Sequence, residues 1–238
     1  MLQWYEFLSS ARGITSTNDV QHLTDAFASG YKRLLGDLLP ADENAPIYDT
    51  GCGPGVALNI LRVLGYRNLE GTDLSASAIA IARDLGLNAT QANSIEDLAG
   101  RPDGSFSRIF AIDLIEHLDR PDLIRFLQIA RTKLRSEDGM LILRCPNGDS
   151  PLVGRNLFND VTHVWTYTST ALRGMLMMSG FKGVTFLDET IPFGPSGRWF
   201  RKAIIKASSA LIRLLIKAAT RENIEIIAAS FWIVAKVS

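Results

Sequence analysis

Cysteine is almost absent from this 238-residue chain: Cys52 and Cys145 stand alone. Two unpaired thiols so far apart exclude a disulfide scaffold and a cysteine metal knuckle, and they fit a reducing compartment. Histidine is nearly as scarce, so any chemistry that needs a neutral imidazole has only His22, His117 and His163 to draw on. Charge of either sign is not in excess. Lysine plus arginine number 25 and aspartate plus glutamate number 25, which removes the global electrostatic argument for a nucleic-acid partner. The first residues, Met1-Leu2-Gln3-Trp4-Tyr5-Glu6-Phe7, lack the basic start and long apolar run of a secretory signal. No repeat or low-complexity segment occurs, and the expected location is cytoplasmic.

What is present is material for a large core, with 47% hydrophobic and 21% charged residues. The length suits one α/β domain spanning 1–238. Within it, 1–44 reads as a helical lead-in, 45–190 as a ligand-binding core, 191–221 as an amphipathic helical insertion and 222–238 as a final strand. Leu23, Phe27, Tyr31, Leu34, Leu35 and Leu38 recur at helical spacing, and Pro40 stops them. Strand and helix then alternate: 47–50, 56–64, 69–73, a helix capped by Ser75 and ended before Gly86, 89–91, 108–113, a helix opened by Pro121, and 140–144. A helix over 169–179, a strand over 181–187 and a strand over 228–237 follow. This order predicts a doubly wound, mostly parallel sheet of seven strands with helices on both faces.

The stretch Tyr48-Asp49-Thr50-Gly51-Cys52-Gly53-Pro54-Gly55 joins the first strand to its helix. Glycines at alternate positions let backbone approach a ligand and permit positive φ in a tight turn. The dinucleotide pattern G-x-G-x-x-G is not met, because the sixth position is Val56. A phosphate-cradling loop is excluded, since no Gly-Lys-Ser or Gly-Lys-Thr follows. The ligand is expected outside the carboxyl ends of the strands, where Asp49, Asp73 with Leu74, Asn93 with Ser94, and Asp113 all fall. Amides of the loop, including those of Gly51, Cys52, Gly53 and Gly55, are expected to hold the ligand's amino-acid part. Asp73 is placed to accept ribose hydroxyls, or alternatively serves as an acid at a helix N-terminus.

An acid followed by G-x-G-x-G resembles motif I of class I S-adenosylmethionine-dependent methyltransferases. Phe110-Ala111-Ile112-Asp113-Leu114-Ile115-Glu116-His117-Leu118 resembles motif IV of the small-molecule members, and Leu141 to Asn147 resembles their strand and Pro-Asn turn. Asn159-Asp160-Val161-Thr162-His163-Val164-Trp165-Thr166-Tyr167-Thr168 looks like the Asp-x-x-His segment of bacterial enzymes acting on surface glycans or lipid-linked saccharides. The resemblance covers residues 31–187 and implies S-adenosyl-L-methionine as cofactor. It also implies that Asn93 meets the adenine, an ordinary loop asparagine being the alternative. The activity it implies is O-methylation of a glycan or lipid-linked saccharide, with a quinone-type phenol as alternative acceptor and a non-catalytic donor-binding module as the alternative class. Abstraction of the hydroxyl proton calls for an imidazole, so His163 and His117 are the expected bases, His163 preferred because it sits in the acceptor-facing insertion. No metal is expected. Quinone-biosynthesis O-methyltransferases, which the chain also resembles, suggest Asp113, Glu116 and His117 as ligands were one present.

Residues 197–220 hold the last signal. At about 100° per residue, Lys202, Lys206, Arg213 and Lys217 share one stripe of an otherwise apolar helix. With Trp199 at the boundary this reads as peripheral contact with an anionic membrane at its inner face, or as packing on protein; the cations are too many for a span. The oligomeric state is left open.

Overall fold

The computed structural model describes Glu6 and residues 13–189, 198–221 and 223–238, the first five residues of the 198–221 stretch by their backbone only. Met1 to Tyr5, Phe7 and the insertion's first residues, 191–197, lie outside it, as do the side chains of Trp199 and Lys202.

Helix α1, Thr17–Leu35, opens on a capping box in which the Ser16 hydroxyl accepts from the Asp19 N–H and the Asp19 carboxylate accepts from the Ser16 N–H. A short 3-10 turn over Gly36–Leu38 ends the helical run. Then come β1 (Ile47–Thr50), α2 (Val56–Val63), β2 (Leu69–Asp73), α3 (Ala76–Asp84), β3 (Ala89–Gln91), α4 (Ser94–Ala99) and β4 (Arg108–Ile112). A 3-10 turn over Ile115–His117 leads to α5 (Arg120–Lys133), β5 (Met140–Pro146), α6 (Val153–Phe158), α7 (Ser169–Met178), β6 (Val184–Asp188), α8 (Arg198–Thr220) and β7 (Ser230–Lys236).

The seven strands form one sheet in the order β3-β2-β1-β4-β5-β7-β6. β1 pairs in parallel with β2 and β4, and β4 in parallel with β5, whereas β7 runs antiparallel to both β5 and β6. Alternation along each strand sorts side chains to two cores. Tyr48, Ile109, Ala111, Leu141, Leu143, Phe231 and Ile233 pack on one face with Phe126 and Leu127 of α5 and Leu172 and Leu176 of α7. Ile47, Phe110, Ile142 and Trp232 pack on the other with Leu35 of α1 and Leu61 of α2.

A buried polar clamp fixes α1 over α2. Asn59, fully buried, donates to the Thr24 hydroxyl at 2.8 Å, and Thr24 in turn donates to the Val20 carbonyl. Helix α1 is thereby held against the carboxyl ends of β1 and β4, where chain order reverses and an open α/β sheet leaves a crevice.

Candidate active site

The glycine loop is built from internal bonds. The N–H groups of Gly51 and Cys52 both donate to the Thr72 carbonyl, at 2.8 and 2.9 Å, and the buried Ser94 hydroxyl joins them at 3.1 Å. Gly53 donates to Asp73 Oδ2 at 2.9 Å, and Gly55 to the Cys52 carbonyl. The amides expected to hold a ligand are therefore occupied, because the turn satisfies its own donors. Gly55 caps α2 at φ 87°, where a Cβ would also collide with Leu87 Cδ1. Gly53 stands at φ 53° with open space where a Cβ would project, the clearance a close-lying ligand needs.

What the loop offers instead is Asp49. Its carboxyl is 2% exposed and Oδ1 has no partner. Burial, reinforced by the charge of Asp73, pushes the Asp49 carboxyl up to about 7. An orphaned buried acceptor of this kind fits a ligand ammonium, which would supply both the missing donor and the countercharge.

Asp73 holds the rim. Its Oδ1 accepts from the Ser75 N–H at 2.8 Å and its Oδ2 from Gly53, and burial raises its pKa against those bonds. A carboxylate has acceptor capacity beyond two bonds, so both the capping role and the ribose role are compatible with this geometry. Leu74, half-buried, follows it and accepts from Gln91 through its carbonyl. Asn93 Oδ1 accepts from the N–H groups of Ile95 and Glu96 and so caps α4, leaving its amide nitrogen for other partners. Glu6 reaches the same rim, where its carboxylate accepts from Ala76 and Ser77 N–H at the start of α3.

A cavity of about 360 Å³ opens beside the loop. Asp49, Gly51, Cys52 and Gly53 form one wall; Leu23, Phe27 and Tyr31 of α1 form another, with Trp232 meeting Tyr31 edge-on at 5.3 Å. Arg144 closes the end. It donates to Asp113 through Nη1 and to both carboxylate oxygens of Glu189, at 2.8 and 3.0 Å. Asp113 takes a left-handed backbone, φ 52°, a conformation aspartate tolerates better than most side chains. Arg144, Glu189, Trp232 and Glu6 escaped sequence reading, although a buried-strand arginine among Leu141, Ile142 and Leu143 was a usable signal for the first.

The two candidate bases come together elsewhere. Their rings stand 4.8 Å apart, and neither is among the residues lining this cavity. His163, its side chain 4% exposed, engages the Leu157 carbonyl through Nδ1 at 2.8 Å. His117 Nδ1 meets the Thr162 hydroxyl at 2.8 Å, and that hydroxyl donates to Asp160 at 2.7 Å. The main-chain carbonyl of Glu116 accepts from Val164 and Trp165. Of the residues named as ligands for a metal, Glu116 and His117 share this cluster, whereas Asp113 belongs to the cavity wall with Arg144.

A 3-2-1-4-5-7-6 sheet with antiparallel β7 and an acid-glycine loop at the end of β1 defines a class I S-adenosylmethionine-dependent methyltransferase. The chain belongs to the family described as "Methyltransferase domain", which matches residues 21–185. It is similar in fold to a SAM-dependent methyltransferase of Archaeoglobus fulgidus, with TM-score 0.68, 20% identity and coverage of 90% of this chain and 94% of that one. A putative methyltransferase of Haloferax volcanii, solved with the Trm112 methyltransferase activator, gives TM-score 0.65 at 16% identity over 98% and 96%. In sequence, a ubiquinone biosynthesis O-methyltransferase of Xanthomonas oryzae is 31% identical over 85 residues, 34% of this chain. The match spans about a third of that relative's length, 35%.

Proposed function

We propose that this methyltransferase acts on the hydroxyl of a small, quinone-type phenol. The observation that carries the reading is the cavity: Leu23, Phe27, Tyr31 and Trp232 form an apolar, aromatic wall facing the glycine loop, which suits a planar ring better than a saccharide. The name of the Xanthomonas relative points the same way. When bound, S-adenosylmethionine supplies a methyl group on a sulfonium for in-line attack by oxygen. Asp49 would hold the donor's ammonium and Asp73 its ribose, while Asn93, Ser94, Leu74 and the Asp113 wall border the remainder. A phenol loses its proton near pH 10, far more readily than an alcohol, so positioning by the cavity can provide much of the rate without a dedicated base.

The test is Phe27→Ala. It should raise KM for a phenolic acceptor several-fold and leave donor affinity unchanged; an equal loss of both would place the acceptor elsewhere.

A second reading, a glycan or lipid-linked saccharide, is favoured by Trp165, an exposed aromatic with Arg120 over its ring at 4.1 Å on the Asn159–Thr168 segment. An alcohol needs a base, and in that reading His117 or His163 serves. Both acceptors suit delivery from a lipid surface. Helix α8 carries no acidic residue, exposes Ile204, Leu211, Leu214 and Leu215 by more than half, and bears Lys206, Arg213 and Lys217. A peripheral contact with anionic lipid fits that pattern; no described helix is long and apolar enough to cross a membrane.

A further inference from the structure

Histidines 117 and 163 are held in one tautomer by their surroundings. A backbone carbonyl can only accept, so the Leu157 carbonyl at 2.8 Å fixes the proton of His163 on Nδ1. The Thr162 hydroxyl has one hydrogen, and it is donated to Asp160 at 2.7 Å. It can only accept from His117, whose proton is therefore also on Nδ1. In its neutral form each ring so held carries its lone pair on Nε2.

A ring nitrogen of each histidine and the Glu116 carboxylate converge. One ligand atom from each of the three side chains lies within 4.8 Å of the others, and His163 Nε2 is 3.9 Å from Glu116 Oε1. His163 Nε2 is buried without a hydrogen-bond partner, on a side chain 4% exposed, and Glu116 is 1% exposed. A buried ring nitrogen without a hydrogen-bond partner, 3.9 Å from a buried carboxylate, leaves a polar gap that a metal cation would fill.

We propose that Glu116, His117 and His163 bind one divalent transition metal of the zinc class. Zinc holds nitrogen and oxygen ligands at about 2.0–2.2 Å, which sets neighbouring ligand atoms roughly 3.4 Å apart, a modest closing of the observed cluster. Two neutral imidazoles favour such an ion over magnesium, which prefers oxygen ligands. The Leu157 carbonyl and the Asp160-Thr162 pair already supply the outer hydrogen bonds that orient metal-bound histidines. The ligand set differs from Asp113, Glu116 and His117, since Asp113 is taken by Arg144. The ion would fasten the 157–165 segment to the end of β4 and leave neither histidine free as a base. It goes beyond the phenol reading and does not depend on it.

Metal-stripped protein is dialysed against zinc, cobalt(II) or magnesium, and bound metal is counted by mass spectrometry. One equivalent of zinc or cobalt, a visible cobalt absorption, a higher Tm and no magnesium are expected. His163→Gln and His117→Gln should each weaken zinc affinity at least about 100-fold, whereas His22→Gln should not; binding of S-adenosylhomocysteine reports whether each variant is folded. Failure of the intact protein to retain zinc overturns the proposal, as does undiminished binding by folded His163→Gln. If the variants do not fold, nitrogen NMR of the intact chain decides. Zinc must shift the Nε2 resonances of His117 and His163 and spare those of His22; unmoved resonances overturn the assignment.

Discussion

Arg144 on β5 donates through Nη1 to Asp113 Oδ1, tying the residue after β4 to the floor of the cavity, and the rest of the guanidinium is forked onto Glu189. Burial alone would lower the pKa of Arg144, but the two carboxylates outweigh it and raise it. All three side chains are less than one third exposed. Arg144→Met should therefore strand two half-buried carboxylates and cost about 3 kcal/mol, read from urea unfolding. A loss under about 0.5 kcal/mol would mean that the carboxylates are solvated without it.

Asp49 predicts a pH dependence of known sign. Its carboxyl lies near 7 when folded against 3.8 as its ordinary value, so between these the folded chain binds the extra proton. The ligand-free protein should lose stability as pH rises from about 4 to 7, with the whole penalty present above 7; Asp49→Asn should remove this slope and stabilise the chain at pH 8. Donor binding should respond oppositely, because an ammonium needs the carboxylate ionised. Calorimetry should show affinity falling up to about tenfold per unit of pH below 7.

Gly55 sets the entry of the loop into α2. Gly55→Ala adds strain at φ 87° and pushes into Leu87 Cδ1, so a destabilisation of about 1–3 kcal/mol is expected together with weakened donor binding. Thermal unfolding and calorimetry check both.

Helix α8 should bind vesicles containing anionic lipid and release them in high salt. Replacing Lys206, Arg213 and Lys217 by glutamate should abolish co-sedimentation while donor binding persists. Equal binding by the triple variant would show that these cations do not carry the contact, and no binding by the intact chain would leave the exposed apolar face to a protein contact.

The sheet was legible because local signals agreed with the fold. Ile47 to Thr50, Leu69 to Asp73 and Ala89 to Gln91 are strands with the expected limits, and Ser75 caps α3. The elements missed are short: α4 is capped by Asn93, α6 is tied by Asn156 to the Ser230 hydroxyl, and the 3-10 turn at Ile115–His117 is tied through the Glu116 carbonyl to Val164 and Trp165, none of which periodicity announces. The cavity was legible only on its glycine side. Glu189 and Trp232 reach it from late strands and loops, and no sequence spacing announces that juxtaposition. The pairing of His117 with His163 likewise depends on the 3-10 turn and the Asp160-Thr162 bonds.

The atom that receives the methyl group is the decisive observable. Methyl-labelled S-adenosylmethionine is to be incubated with the protein and, in parallel, with alkyl-substituted dihydroxybenzenes and lipid-linked saccharides, and the product characterised by carbon NMR. Label is expected in an aryl methyl ether. Label on a saccharide oxygen, on nitrogen or on carbon, with the phenols untouched, would contradict it.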